Sequence, residues 1–425
     1  MLNKLNMHLN RKNYRLPFTC LLLFFFIPAF AGTQFKQQKL LAHDGAPEDF
    51  FSFSLAIYDD IALIGSFKSD DDVIGVDAGS AYVFTRSGNV WHQQAKLIAR
   101  DGEPNDTLGG NVALFGETAV LGAIGHDKNG DNSGAAYVFS RSGSVWSQQS
   151  KLTAIDGAKG DAFGQSIAVS DDTIVIGAPH DDDKGKDSGS VYVFTRTGTT
   201  WSQQAKLTAP DGAEGDVFGI SVALSDDTVL IGADLNDEKM TDAGAAYVFI
   251  RSGTNWIQQA KLMAADGGKT DIFGVRVALS GDTALISARR DDDEIMGVDA
   301  GSAYVFSRTG TTWRQQAKLT APDGATDDRF GRGVALSGDT ALISAMHQDD
   351  KGANSGSAYV FTRTGNIWSH QANLSADDGA LGDLFGWSIA LSNGTALIGA
   401  TRNDDKGNES GSAYVFEIEP QMQKL

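Results

Sequence analysis

The chain carries 54 acidic against 35 basic residues in 425, a formal charge of −19, together with 49 Gly, 8 Pro and one Cys. Such an acid excess argues against a nucleic-acid partner, because phosphate contacts need Lys and Arg to release counterions, and a lone cysteine excludes an intrachain disulfide or a cysteine-rich zinc site. A hydrophobic content of 41% is that of a folded chain, and abundant glycine beside scarce proline points to β structure with many tight turns.

Residues 1–15 contain Lys4, Arg11, Lys12 and Arg15 and no acid; the apolar run 16–30 follows, and the segment closes on Ala29-Phe30-Ala31. A positive start, a short apolar stretch and an A-x-A end predict a secretory signal peptide over 1–31, cleaved after Ala31. Pro17, Thr19 and Pro28 break the run below the ~20 apolar residues that a spanning helix needs. Cys20 lies inside it, behind Pro17-Phe18-Thr19, which does not look like a lipoprotein cleavage site. Cleavage removes four positive charges and no acid, so −19 becomes −23, and it leaves a chain without cysteine. No second apolar run of membrane length follows, and the expected location is secreted, periplasmic or at the cell surface.

One repeat fills residues 32–420, ahead of a short tail at 421–425. The string Trp201-Ser202-Gln203-Gln204-Ala205-Lys206-Leu207 recurs from Trp91, Trp146, Trp256 and Trp313, and more loosely from Trp368, at a spacing of 55 residues and once 57. Asp-Gly begins at Asp44, Asp101, Asp156, Asp211, Asp266, Asp323 and Asp378, and five residues after each stands Asp49, Asp106, Asp161, Asp216, Asp271, Asp328 or Asp383. Tyr-Val-Phe starts at Tyr82, Tyr137, Tyr192, Tyr247, Tyr304, Tyr359 and Tyr414. These mark seven copies, approximately 39–95, 96–150, 151–205, 206–260, 261–317, 318–372 and 373–418. In the third copy, 163–170, 173–178, 190–196 and 200–209 read as four short strands, rich in β-branched and aromatic residues. Tight turns join strands one and two and strands three and four, so consecutive strands are antiparallel neighbours.

Seven such sheets predict an all-β, seven-bladed β-propeller around a central channel, with an open stack of sheets as the alternative. The last copy stops at its third strand, whereas 34–42 reads as a displaced fourth strand; pairing 34–42 with 411–418 closes the ring and hides two sheet edges.

Phe163-Gly164, then Ile176-Gly177-Ala178-Pro179, then Gly-Ser-x-Tyr-Val-Phe resembles the FG-GAP repeat, and the likeness runs over nearly all of 34–418. It implies the propeller of integrin α-subunit heads and of bacterial secreted proteins built from the same blades, and hence a role in binding or adhesion. Some copies depart: Phe51-Ser52 and Leu108-Gly109 replace Phe-Gly, and Ala-Pro is complete only in copy three. Integrin-type repeats also often insert a DxDxDGxxD calcium loop between strands one and two. Here that connection is as short as Ser170-Asp171-Asp172-Thr173, too short to wrap a calcium ion.

Two acidic loops per blade are expected on one face of the disc. In the loop between strands two and three an Asp recurs as Asp70, Asp127, Asp182, Asp237, Asp292, Asp349 and Asp404. Three readings stand: these side chains lock their own loops by accepting backbone N–H groups, they bind Ca2+ in several blades, or they steer a cationic partner. Asymmetry is the better guide to a ligand site. The residue after Phe-Gly is Phe53, Gly110, Gln165, Ile220, Val275, Arg332 and Trp387 in turn, so Phe53, Arg332 and Trp387 are the ligand-binding candidates at the channel mouth. The alternative there is plugging of the channel. His180 and His347 stand beside Asp in equivalent loops; no HExxH pair, nucleophile elbow, phosphate loop or thiol site is present. The expectation is a non-catalytic scaffold for a protein or glycan, with a calcium-dependent binder and a hydrolase or lyase at the channel mouth as alternatives.

Overall fold

The computed structural model describes residues 35–418; the signal-peptide reading of 1–31 and the 421–425 tail lie outside them. Twenty-eight strands form seven four-stranded antiparallel sheets, with no helix among the described residues. The third blade shows the plan: β10 (Ser166–Ser170), β11 (Thr173–Ala178), β12 (Ser190–Thr197) and β13 (Thr200–Leu207) follow one another from the channel outward. Strand two is buried along its whole length, because both of its faces meet neighbouring blades. The apolar side chains of Ile174, Val175, Ile176 and Ala178 satisfy that requirement, with Thr173 at the strand's start and Gly177 where the next blade approaches closely.

The core lies between blades. Val120 of the second blade packs in one cluster with Ile174, Tyr192 and Trp201 of the third. Phe163 meets the Tyr192 ring edge-on at 5.5 Å, a contact repeated in other blades, including Phe218 on Tyr247 and Phe385 on Tyr414.

Ring closure follows the sequence expectation. Strand β1 (Gln37–Leu40) pairs antiparallel with β28 (Ser412–Glu417), from Gln37 opposite Phe416 to Leu40 opposite Ala413. The other outer strands carry a bulge, as between Val193 and Phe194; β1 lacks the Ala of Gln-Gln-Ala-Lys and pairs without one.

Two strand boundaries differ from expectation. Strand one of the third blade begins at Ser166 rather than 163, after a turn in which Ala162 (φ 55°) and Gly164 (φ 99°) have positive φ. Strand four ends at Leu207, and Ala209 beyond it joins the core.

Blades six and seven break the symmetry. The glycine of Ile-Gly-Ala lies against the next blade: a Cβ on Gly177 would stand 2.1 Å from the Gly219 carbonyl oxygen. Ser287 and Ser344 replace this glycine in blades five and six, and each side chain abuts the strand one that follows, at Gly331 and Gly386. Those two strands, β22 (Phe330–Ser337) and β26 (Phe385–Ser392), start three residues early and shift register between Phe330 and Val334 and between Phe385 and Ile389. Arg332 and Trp387 lie in these segments, in the same turn that carries Gln165 and Ile220 in other blades, with Arg332 N–H on the Arg329 carbonyl as Gln165 N–H is on that of Ala162.

Candidate functional site

The repeated acids are engaged in the architecture. Each of Asp70, Asp127, Asp182, Asp237, Asp292, Asp349 and Asp404 accepts, through Oδ1, a backbone N–H from later in its own loop at 2.7–2.9 Å. The second set does likewise three residues upstream, as from Ala46 N–H to Asp49 Oδ2 at 2.8 Å. Asp49 is buried, and desolvation pushes its carboxyl up to about 6 against the pull of that hydrogen bond; Asp271 is raised to about 6 in the same way.

The Asp-Gly aspartates face the adjacent blade. Lys96, Lys151, Lys206, Lys261, Lys318 and Lys39 reach Asp44, Asp101, Asp156, Asp211, Asp266 and Asp378 at 2.6–3.0 Å. Each lysine also stands over the tyrosine of its own Tyr-Val-Phe, as Lys206 over Tyr192 at 5.2 Å. Partial burial raises these carboxyls, but the lysine outweighs it and holds them below the usual range. At the seventh position Asn373 replaces lysine and donates to Asp323 at 2.8 Å.

The purpose of Gln-Gln was not legible from spacing. The second glutamine accepts the indole N–H of the next blade's Trp, as Gln149 from Trp201 at 2.9 Å and Gln316 from Trp368 at 2.9 Å. The first binds the previous blade's backbone, as Gln203 from Ile155 N–H at 3.2 Å. Gln37 and Gln38 of β1 repeat the pattern with Asp377 N–H and the Trp91 main chain.

Against this uniform frame, one end of the channel differs. The structure brings Phe53, Arg332 and Trp387 together: the Phe53 and Trp387 rings are 5.4 Å apart and the Arg332 guanidinium lies 4.0 Å above the Trp387 ring. Phe67 extends the aromatic side at 4.2 Å from Phe53. A cavity of about 220 Å³ is bounded by Phe53, Gln165, Ile220, Arg276, Arg332 and Trp387. Below it the channel is walled by Ile57, Val169, Leu224, Leu279, Leu336 and Leu391. The mouth is therefore aromatic at blades seven and one and cationic at blades five and six, above an apolar shaft.

Arg276 and Arg289 escaped the sequence reading, although an alignment of the copies carries the signal. Arg276 occupies a position held by Ser54, Asn111, Ser166, Ser221, Gly333 and Ser388 elsewhere, and Arg289 follows strand two where the fourth copy has Asp234. Burial, and the charge of Arg276 beside it, lower Arg289 to about 10; Asp234 is pushed up to about 6 by burial despite both arginines. Among the described residues no three of His, Cys, Asp and Glu are grouped so as to share a metal ion. His126 and His180 rest on Asp106 and Asp187 at 3.3 and 3.0 Å, in separate loops.

The FG-GAP repeat model matches residues 35–84, 91–139, 146–194, 201–249, 256–306, 313–361 and 368–416. Integrin alpha-2 of Mus musculus is similar at 24% identity over 221 residues, 47% of this chain but 18% of that protein, so the likeness spans less than a fifth of the relative's length. Among the described residues no helix is long and apolar enough to cross a membrane. With seven matched units over most of its length and seven four-stranded blades to correspond, the chain belongs to the FG-GAP repeat family.

Proposed function

We propose that the protein is an exported, non-catalytic binding scaffold that engages a protein or glycan through the acidic-loop face and the channel mouth. One observation carries the reading: the repeated Asp, Lys, Tyr, Gln and Trp side chains hold blades and loops together, whereas the residues that vary between blades meet at the mouth, where Arg332 and Phe53 bracket Trp387. An aromatic ring beside a guanidinium suits a sugar ring or a peptide side chain. Export rests on the composition of 1–31, and binding outside the cell accords with the likeness to an integrin chain. The loop aspartates serve this reading as locks, since each already accepts a backbone N–H.

The test is to probe glycan and peptide arrays with the wild-type protein and with Phe53→Ala/Trp387→Ala, in EDTA and in calcium. We expect a defined set of ligands for the wild type, equal in both buffers and lost in the variant. Identical patterns for the two proteins, or binding only in calcium, would overturn it.

A further inference from the structure

The acid-rich surface makes an unpaired arginine conspicuous. Four of the repeated strand-three arginines hold acids closely, Arg86 with Asp60, Arg196 with Asp172, Arg308 with Asp282 and Arg363 with Asp339, at 2.6–2.7 Å, whereas Arg141 at the same position has no ion pair and an unpartnered Nε among the described residues. Arg276, Arg289 and Arg332 differ. Arg332 is 7% exposed, and its Nε has no hydrogen-bond partner among the described residues; the same holds for Arg289 Nε. Arg276 donates from Nη1 to the Val275 carbonyl at 2.8 Å. The nearest opposing charge is Asp234, whose own Oδ1 is also without a partner.

Burying a guanidinium is costly unless it is paired and hydrogen-bonded, and gathering three like charges at low dielectric adds repulsion. Such an arrangement is at ease only when an anion joins it. The cavity is bounded by Arg276 and Arg332, and stacking on Trp387 fixes the plane of the Arg332 fork while leaving its N–H edge free. The turn that carries Arg332, closed by its N–H on the Arg329 carbonyl, recurs as Gln165 on Ala162 and Ile220 on Val217, so the repeat itself aims this position at the cavity and sequence alone makes blade six cationic there.

We propose that the channel mouth binds an oxyanion, a carboxylate, sulfate or phosphate group, held by Arg276 and Arg332 with Trp387 at its side and Arg289 adding positive charge behind them. The inference deepens the binding reading above by naming the charge of the group that enters the mouth. The surrounding acids repel free anions at long range, so the selectivity is local: a small anionic group reaches the two guanidiniums that border the cavity, and an extended polyanion meets the acidic loops first.

The experiment measures thermal unfolding and titration calorimetry of the protein with sodium phosphate, sodium sulfate and sodium glucuronate, each against sodium chloride at matched ionic strength. We expect saturable stabilisation by at least one of the three beyond chloride, because a ligand bound only by the native state raises stability. Preference for glucuronate assigns a carboxylate, and preference for phosphate or sulfate a tetrahedral anion. Arg332→Gln and Arg276→Gln should each weaken that binding at least about tenfold, the loss of one charge-assisted pair. If Arg332→Gln fails to fold, Arg276→Gln and Arg332→Lys decide. No effect beyond chloride, or equal effect in the variants, overturns the proposal. A neutral array ligand lost in Phe53→Ala/Trp387→Ala alongside absent anion binding would defeat this inference alone; loss of both defeats the scaffold reading.

Discussion

At the scale of single residues, the two aspartate sets have opposite relations to pH. Asp156 and its equivalents are held low by lysine, so their contribution to stability is present above the normal carboxyl range and lost as pH falls through it. Asp49 is the reverse: burial lifts its folded value from 3.8 to about 6, so the folded state binds the extra proton. Its protonated form favours folding below the unfolded value, and that advantage disappears as pH rises through about 6. A shift of this size corresponds to about 2–3 kcal/mol. Asp49→Asn keeps an oxygen for the Ala46 N–H and removes the charge. The variant should therefore lose less stability than the wild type between pH 4.5 and 7.5, by up to that amount, in denaturant melts at the two values. Parallel pH profiles for the two proteins would show that Asp49 ionises freely in the fold.

At the scale of the element, the strands were readable because the same sequence pattern recurs in each blade, with strands two and three keeping nearly one burial pattern throughout. Strand two has an apolar centre, strand three carries Tyr-Val-Phe, and the turns joining strands one to two and three to four are short and polar. Alternation and turn chemistry decide these locally. The Gln-Gln bridges and the Asp–Lys pairs escaped because their partners lie 48 to 52 residues away, across a blade boundary that spacing alone does not reveal. The candidate site was half legible: Phe53, Arg332 and Trp387 stood out as variable positions, whereas Arg276 and Arg289 needed the copies compared at two further positions. The element scale also exposes one weak interface. Between blades five and six, Asn373 occupies the place of the lysine that bridges the other blades. Asn373→Lys should restore an ion pair with the half-exposed Asp323 and stabilise the protein by about 0.5–1 kcal/mol at low salt, less at high salt, where screening shortens the reach of surface charge. Denaturant midpoints at the two ionic strengths check this, and no gain at low salt would mean that the pair does not form.

At the scale of the whole molecule, a ring differs from a stack in having no end. Each blade buries strand two against its neighbours, so an unclosed ring exposes one interface and one sheet edge on either side of the gap. Here the lock is four residues long: β1 lies on β28, Leu40 and Ala42 enter the core beside Leu397 and Val415, and Lys39 joins Asp378 of the sixth blade's tail to Tyr414 of the seventh. No disulfide supports the closure among these residues. Burial of Leu40, the smaller burial of Ala42 and the β1–β28 hydrogen bonds together contribute about 5 kcal/mol, enough to move the melting temperature of a ring this long by roughly 6 °C. A chain that begins at His43 keeps Asp44 for Lys96 but loses, with the closing strand, the Gln37, Gln38 and Lys39 links to Asp377, Trp91 and Asp378. We expect it to melt lower by about that amount, and to associate with rising concentration as the bared β28 edge finds partners. A synthetic peptide of residues 35–43 should restore melting and suppress association. Equal melting of the shortened and closed chains would place the stability of the ring in the blade interfaces alone and leave the terminal strand an ornament of the sequence.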